Sequence, residues 1–182
     1  MDILKTELND LILIRPDIFS DNRGFFYESW NVKSFNKFLN KQINFVQDNH
    51  SRSKRGTLRG LHYQLKKPQA KLVRVVKGRV IDVALDLRKS SSTFGKYFSV
   101  ELSEDNKLQM WIPEGFAHGF IAISEQVDFC YKTTEFYFPD DEHTIIWNDT
   151  DIQIDWMLNN IEPIVSDKDR LGVNFKDASY FD

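Results

Sequence analysis

The residues of this 182-residue chain best suited to moving protons near neutral pH are its four histidines: His50, His62, His118 and His143. Metal chemistry on a β scaffold favours two histidines one residue apart with a carboxylate nearby, so that side chains converge on one ion. Neither His62-Tyr63-Gln64 nor His118-Gly119-Phe120 has that spacing. The expectation is no metal, with a site assembled from distant positions as the alternative. His62 lies within a strand-like run, Thr57 to Gln64. A lone strand histidine is ordinarily a core residue whose ring bonds a carbonyl. The company of His62 argues for more: Arg59 stands three residues before it, and Lys71 nine after it across an apparent hairpin. A base beside fixed cations suits removal of a proton from a carbon acid that becomes an anion. A regular strand would turn Arg59 and His62 to opposite faces. A bulge at Gly60 would turn both toward one cavity. Tyr131 shares a strand face with Phe129; it reads as core by default, and as a proton donor if functional.

Charge supports an anionic ligand. Asn49 to Ile81 holds ten Lys or Arg and no Asp or Glu, whereas the rest of the chain carries 14 basic against 27 acidic residues. The plain reading is a solvated basic face; the functional one is a local field for an anion. A net charge of -3 and the lack of any nucleic-acid motif argue against nucleic acid. No apolar run approaches the roughly 20 residues that span a bilayer, and the first residues lack a signal-peptide layout. Cys130 is the sole cysteine, so no internal disulfide can form. These features together predict a cytoplasmic protein without membrane contact. No glycine-rich dinucleotide fingerprint is present, so no nicotinamide cofactor is expected.

The elements that must position these residues are mostly strands. Apolar or alternating runs fall at Leu11–Ile14, Phe25–Trp30, Phe45–Asp48, Thr57–Gln64, Lys71–Val76, Tyr97–Leu102, Lys107–Ile112, His118–Ile123, Val127–Thr134 and Thr144–Trp147. After Lys77-Gly78, read as a hairpin turn, Ile81, Val83, Leu85 and Leu87 alternate with Asp82, Ala84 and Asp86. Val32 to Gln42 is the best helix candidate, with Phe35, Phe38 and Leu39 on one face. Short strands at even spacing predict an all-β antiparallel double-sheet jelly roll, forming one domain over residues 1–182. The tail, Asp155 to Asp182, is less regular and is expected to cover one end. Ser166-Asp167-Lys168-Asp169 reads as a helix start or turn.

Together these segments resemble the dTDP-4-dehydrorhamnose 3,5-epimerase family of deoxysugar biosynthesis. The matching stretches are Asp21–Glu28, Gln47–Ser51, Leu58–Gln64, Lys71–Gly78, Asp82–Arg88, Pro113–Phe120, Trp147–Asp149 and Ser166–Asp169. They span most of the chain in family order, and the set is specific where any one alone is weak. The resemblance implies a cupin-like, metal-free homodimer without cofactor. It would invert C3 and C5 of dTDP-4-dehydro-6-deoxy-D-glucose, in dTDP-rhamnose and polysaccharide biosynthesis. By resemblance His62 is the base and Asp169 orients it, Tyr131 donates a proton, and Lys71 lies near the sugar ketone. Arg59 and His118 match residues near the diphosphate, and Tyr137 the ring that stacks on thymine. Arg23, Glu28, Gln47, Asn49, Glu142 and Lys168 match other ligand contacts. Arg23 and Glu28 are expected to serve the neighbouring subunit, because the family exchanges its N-terminal strand.

Two positions depart from the family pattern. Met157 follows Asp155-Trp156, and Thr150 follows Asn148-Asp149, where proline is usual; both bear on loop shape alone. The alternatives are an epimerase acting at C3 only or a ketoisomerase of a related nucleotide sugar, a metal-dependent jelly-roll enzyme, and a non-catalytic nucleotide-sugar binding module.

Overall fold

A computed structural model describes all 182 residues. In chain order the strands are β1 (Asp2–Lys5), β2 (Ile12–Arg15), β3 (Phe19–Asp21), β4 (Gly24–Phe26), β5 (Gln47–Lys54), β6 (Thr57–Gln64) and β7 (Lys71–Lys77). They continue as β8 (Arg79–Asp86), β9 (Tyr97–Ser103), β10 (Gln109–Ile112), β11 (Phe116–Ala122), β12 (Gln126–Thr133), β13 (Glu142–Thr144) and β14 (Ile164–Val165). The α-helices are α1 (Val32–Leu39) and the single turn α2 (Asp167–Arg170). One sheet runs β1-β2-β10-β7-β12-β5 and the other β13-β6-β11-β8-β9, with β14 joining β6 in parallel. Strands β3 and β4 form a separate hairpin. This is the double-sheet jelly roll that the strand spacing predicts.

Three apolar layers hold it. Between the sheets lie Val73, Val75, Val80, Leu102, Met110, Ile112, Phe120, Val127 and Phe129, all buried. The outer face of the β1–β5 sheet is covered by α1. Asn31 caps this helix by accepting from the Lys33 and Ser34 amides, and Phe35 packs against Trp30 and Trp111. The helix stops at Leu39 rather than Gln42 because Asn40 turns left-handed, at φ 49°. The C-terminal tail covers the outer face of the second sheet, not an end of the barrel. Trp156, Ile154, Phe175 and Phe181 pack over Leu61, Val83 and Leu85. Strand β8 is therefore buried on both faces, although its alternation resembles that of a half-exposed strand.

Two expected hairpins are instead crossings between sheets. Strands β6 and β7 lie in different sheets, as do β7 and β8. Gly78 makes the second crossing at φ 77°, where a Cβ would meet the Gln126 carbonyl oxygen at 2.2 Å. The consequence for the site is direct: Lys71 faces His62 from the opposite wall instead of standing beside it. Several boundaries also differ. Strand β4 stops at Phe26, β5 starts at Gln47 and runs on to Lys54, and β13 ends at Thr144.

Candidate active site

At one end of the space between the sheets the apolar filling gives way to a cavity of about 330 Å³ with polar walls. The β6 wall owes its shape to a bulge. His118 on β11 pairs with His62 and Phe120 with Arg59, so Gly119 stands opposite two residues, Gly60 and Leu61. That extra residue turns Arg59 and His62 to one face, and both line the cavity. Gly60 has φ +107°, and a Cβ there would meet the His118 carbonyl oxygen at 2.5 Å, so only glycine fits.

Behind His62 stands a buried carboxylate. Ser166 caps α2, accepting at its Oγ from the Asp169 amide at 3.1 Å, and the turn presents Asp169 to β6. Asp169 Oδ1 lies 2.6 Å from His62 Nε2. Burial pushes the Asp169 carboxyl up, but bonding to His62, the charge of that ring, the Ser166 hydroxyl and the Gly60 amide outweigh it. The net position is below the usual carboxylate range. An ionised carboxylate only accepts, so Nε2 is the donor nitrogen, and in the neutral ring Nδ1 is the acceptor.

The opposite wall comes from β5, β7 and β12. Lys71 is 9% exposed. Burial pulls its ammonium down to about 8, against the fields of Glu142 and Asp82, which favour the charged form. Tyr131 pairs in register with Asn49 on one side and Val73 on the other. Burial, then Glu142, pushes its phenol up, so it stays a proton donor at neutral pH. Asn49 Nδ2 and Ser51 Oγ are buried without a hydrogen-bond partner, leaving polar groups free for a ligand. At the rim Tyr137 donates from its hydroxyl to Glu142 at 2.7 Å, Lys168 contacts the same carboxylate, and the Tyr137 amide donates to Gln47 Oε1 at 3.1 Å.

The sequence pattern of one family, dTDP-4-dehydrorhamnose 3,5-epimerase, matches residues 5–177. The Shigella flexneri dTDP-4-dehydrorhamnose 3,5-epimerase is 53% identical over 182 residues, covering 100% of this chain and 99% of its own. Its Pseudomonas aeruginosa counterpart is 51% identical over 181 residues, covering 100% and 99%. The crystal structure of the Legionella pneumophila dTDP-6-deoxy-D-glucose-3,5-epimerase, in complex with dTDP-4-keto-L-rhamnose, superposes with a TM-score of 0.95. It is 46% identical and covers 98% of this chain and 94% of that one. The chain belongs to the dTDP-4-dehydrorhamnose 3,5-epimerase family. It is accordingly an enzyme, of the isomerase class.

Of the epimerase residues anticipated from sequence, His62, Lys71, Tyr131, Gln47, Asn49, Arg59, His118, Tyr137 and Glu142 line the cavity, with Asp169 behind His62 and Lys168 on Glu142. Arg23 and Glu28 do not join them. Arg23 sits on the β3–β4 hairpin with its side chain 85% exposed, paired with Asp21, and Glu28 accepts from Asn31. Sequence reasoning missed Asp82, whose carboxylate lies 2.9 and 3.1 Å from His118 Nε2. Its signal was an acid inside a strand buried on both faces. Ser51 and Gln69, which do line the wall, were missed as well. The remaining histidines are elsewhere: His50 is near Asp128, and His143 stacks on Tyr63. No three His, Cys, Asp or Glu side chains converge as a metal site. No helix is long and apolar enough to cross a membrane.

Proposed function

We propose that this chain converts dTDP-4-dehydro-6-deoxy-D-glucose to dTDP-4-dehydro-L-rhamnose by inverting C3 and C5. The observation that carries the reading is the 2.6 Å contact of His62 with buried Asp169 on a cavity wall that faces Lys71. The C4 carbonyl acidifies the C3 and C5 hydrogens. Nδ1 of His62 takes one as a proton, and the C–H electron pair moves through the new C=C bond onto the C4 oxygen. Asp169 stabilises the imidazolium. The Lys71 ammonium stabilises the enolate oxygen, and a donor of this kind contributes typically about 3–4 kcal/mol. Reprotonation from the opposite face completes the inversion, with the Tyr131 hydroxyl delivering the proton at C5 and regaining one from solvent. No electrons leave the substrate, so this route calls for no redox cofactor.

Homology supports the nucleotide-sugar class, since the Legionella relative is described with a dTDP-linked keto sugar. Cytoplasmic action as a homodimer completes the proposal, with Arg23 and Glu28 serving the partner's cavity. The β3–β4 hairpin supports this, because Phe19, Phe25 and Phe26 stand 65%, 60% and 69% exposed, although the Lys107 ammonium lies over the Phe25 ring.

Incubation with dTDP-4-dehydro-6-deoxy-D-glucose in D2O, followed by proton NMR, tests the chemistry. Wild type should take deuterium at C3 and C5. His62→Asn should take none at either carbon while still binding dTDP. Exchange persisting in that variant would remove His62 as the base, and exchange at C3 alone in wild type would make the chain a single-site epimerase.

A further inference from the structure

We propose that Asp82 is a positioning residue for the epimerisation. It accepts the hydrogen bond of the His118 Nε2–H, leaving Nδ1 of that ring as an acceptor for a sugar hydroxyl, and its negative charge supports the Lys71 ammonium that enters the same cavity. This rests on the reading in which charged Lys71 stabilises the enolate.

Asp82 is 0% exposed on a strand whose neighbouring inward positions are Val80 and Ala84. An acid in such a place is costly unless its neighbours need it. Both its oxygens approach one ring nitrogen, at 2.9 and 3.1 Å. His118 is itself buried, and burial holds its ring toward the neutral form. A neutral imidazole has one donor and one acceptor nitrogen. The carboxylate, an acceptor, claims the donor, so the other nitrogen is fixed as an acceptor. Cross-strand pairing with His62 puts this fixed ring beside the base.

Lys71 is the second half of the argument. The charged and titratable groups that share the cavity with it are His118 from β11, His62 and Arg59 from β6, Tyr131 and Tyr137 from β12 and the segment after it, and Glu142 from β13, with Asp82 from β8 bonded to His118 from outside the cavity. Glu142 is already engaged by Lys168 and the Tyr137 hydroxyl. His118 contributes a hydrogen bond to Asp82 but, held neutral, no charge. Asp82 is thus the carboxylate with no other cation bonded to it, and its field favours the Lys71 ammonium.

Two measurements test this. Activity requires protonated Lys71 and falls as pH rises through its pKa. Removing Asp82 lowers that pKa. In Asp82→Asn the basic limb of kcat should therefore move down by about one pH unit or more, with KM changed less than about threefold. A purely structural role would lower stability and leave the limb in place; Asp82→Ser serves the same purpose if the amide does not fit. In the wild-type protein, 15N NMR of labelled histidine should show His118 neutral and protonated at Nε2 at neutral pH. An unmoved limb overturns the Lys71 half of the proposal, and a cationic or Nδ1-protonated His118 overturns the other half. Absence of any epimerisation by wild type would instead sink the proposed activity, while the NMR result would still decide the state of His118.

Discussion

Two histidine–carboxylate pairs stand on neighbouring strands of one sheet, and they differ in what surrounds them. The carboxylate of Asp169 comes from a capped turn and takes bonds from His62, Ser166 and Gly60, so the charged form wins despite burial. The carboxylate of Asp82 lies deeper, with His118 as its bonding partner, and burial wins, pushing the acid above its usual range. The ring of His62 is 26% exposed toward the cavity, and that of His118 is 8% exposed. The difference teaches that the same two side chains leave a ring reachable from the cavity, as the proposed base requires, where the carboxylate is well bonded and the ring is open. They hold one ring in a fixed orientation where both are sealed.

The sharpest way to break this distinction is to neutralise the first carboxylate. Asp169→Asn should cut kcat by about 10²–10⁴-fold, with dTDP affinity by calorimetry nearly unchanged. Retention of more than about a tenth of the activity would make the two pairs equivalent.

The bulge that separates the pairs is the next target. Gly60→Ala would put a Cβ at φ +107° against the His118 carbonyl and Gly119 Cα, at 2.5 and 2.7 Å. Displacing His62 by about 1 Å should cost about 10²-fold in kcat. The backbone conflict should appear as a lower urea midpoint, corresponding to a loss of about 1–3 kcal/mol in stability. An alanine variant with wild-type kinetics would show that the bulge does not set the base.

The smallest effect concerns stability, and there the pairs should have opposite sign. The folded pKa of Asp169 is depressed, so its contribution is present above the unfolded value of about 3.9 and is lost as pH falls through the folded value. The folded pKa of Asp82 is raised, so its contribution is present below about 3.9 and is lost as pH rises through the folded value. At pH 7, Asp169→Asn should therefore lower the thermal midpoint, by about 2–4 °C for each kcal/mol. Asp82→Asn should leave it unchanged or raise it. Equal losses measured by calorimetry would contradict the contrast.

Much of this was legible before any coordinates. Thr57–Gln64 is the strand that the spacing marks, and the conflict between Arg59 and His62 called for the bulge that Gly60 makes. Lys71 was legible as a cation near His62 but not in its route there, because a strand, a short link and a second strand read alike for a hairpin and a sheet crossing. Asp169 has no local signature linking it to His62 from 107 residues away; only the family resemblance pointed to it. Asp82 was hidden by an alternation that looks the same for a strand open on one side as for one covered on both. Strands β1 and β3, at four and three residues, are too short to carry a period.

The docking of the C-terminal tail has a temporal corollary. His62 is followed, 107 residues later in synthesis, by the Asp169 carboxylate that contacts it. A nascent polypeptide would have the strands of both walls before it had the carboxylate that holds His62. The proposed base is therefore completed after the strands around it, by the same segment that covers the outer sheet.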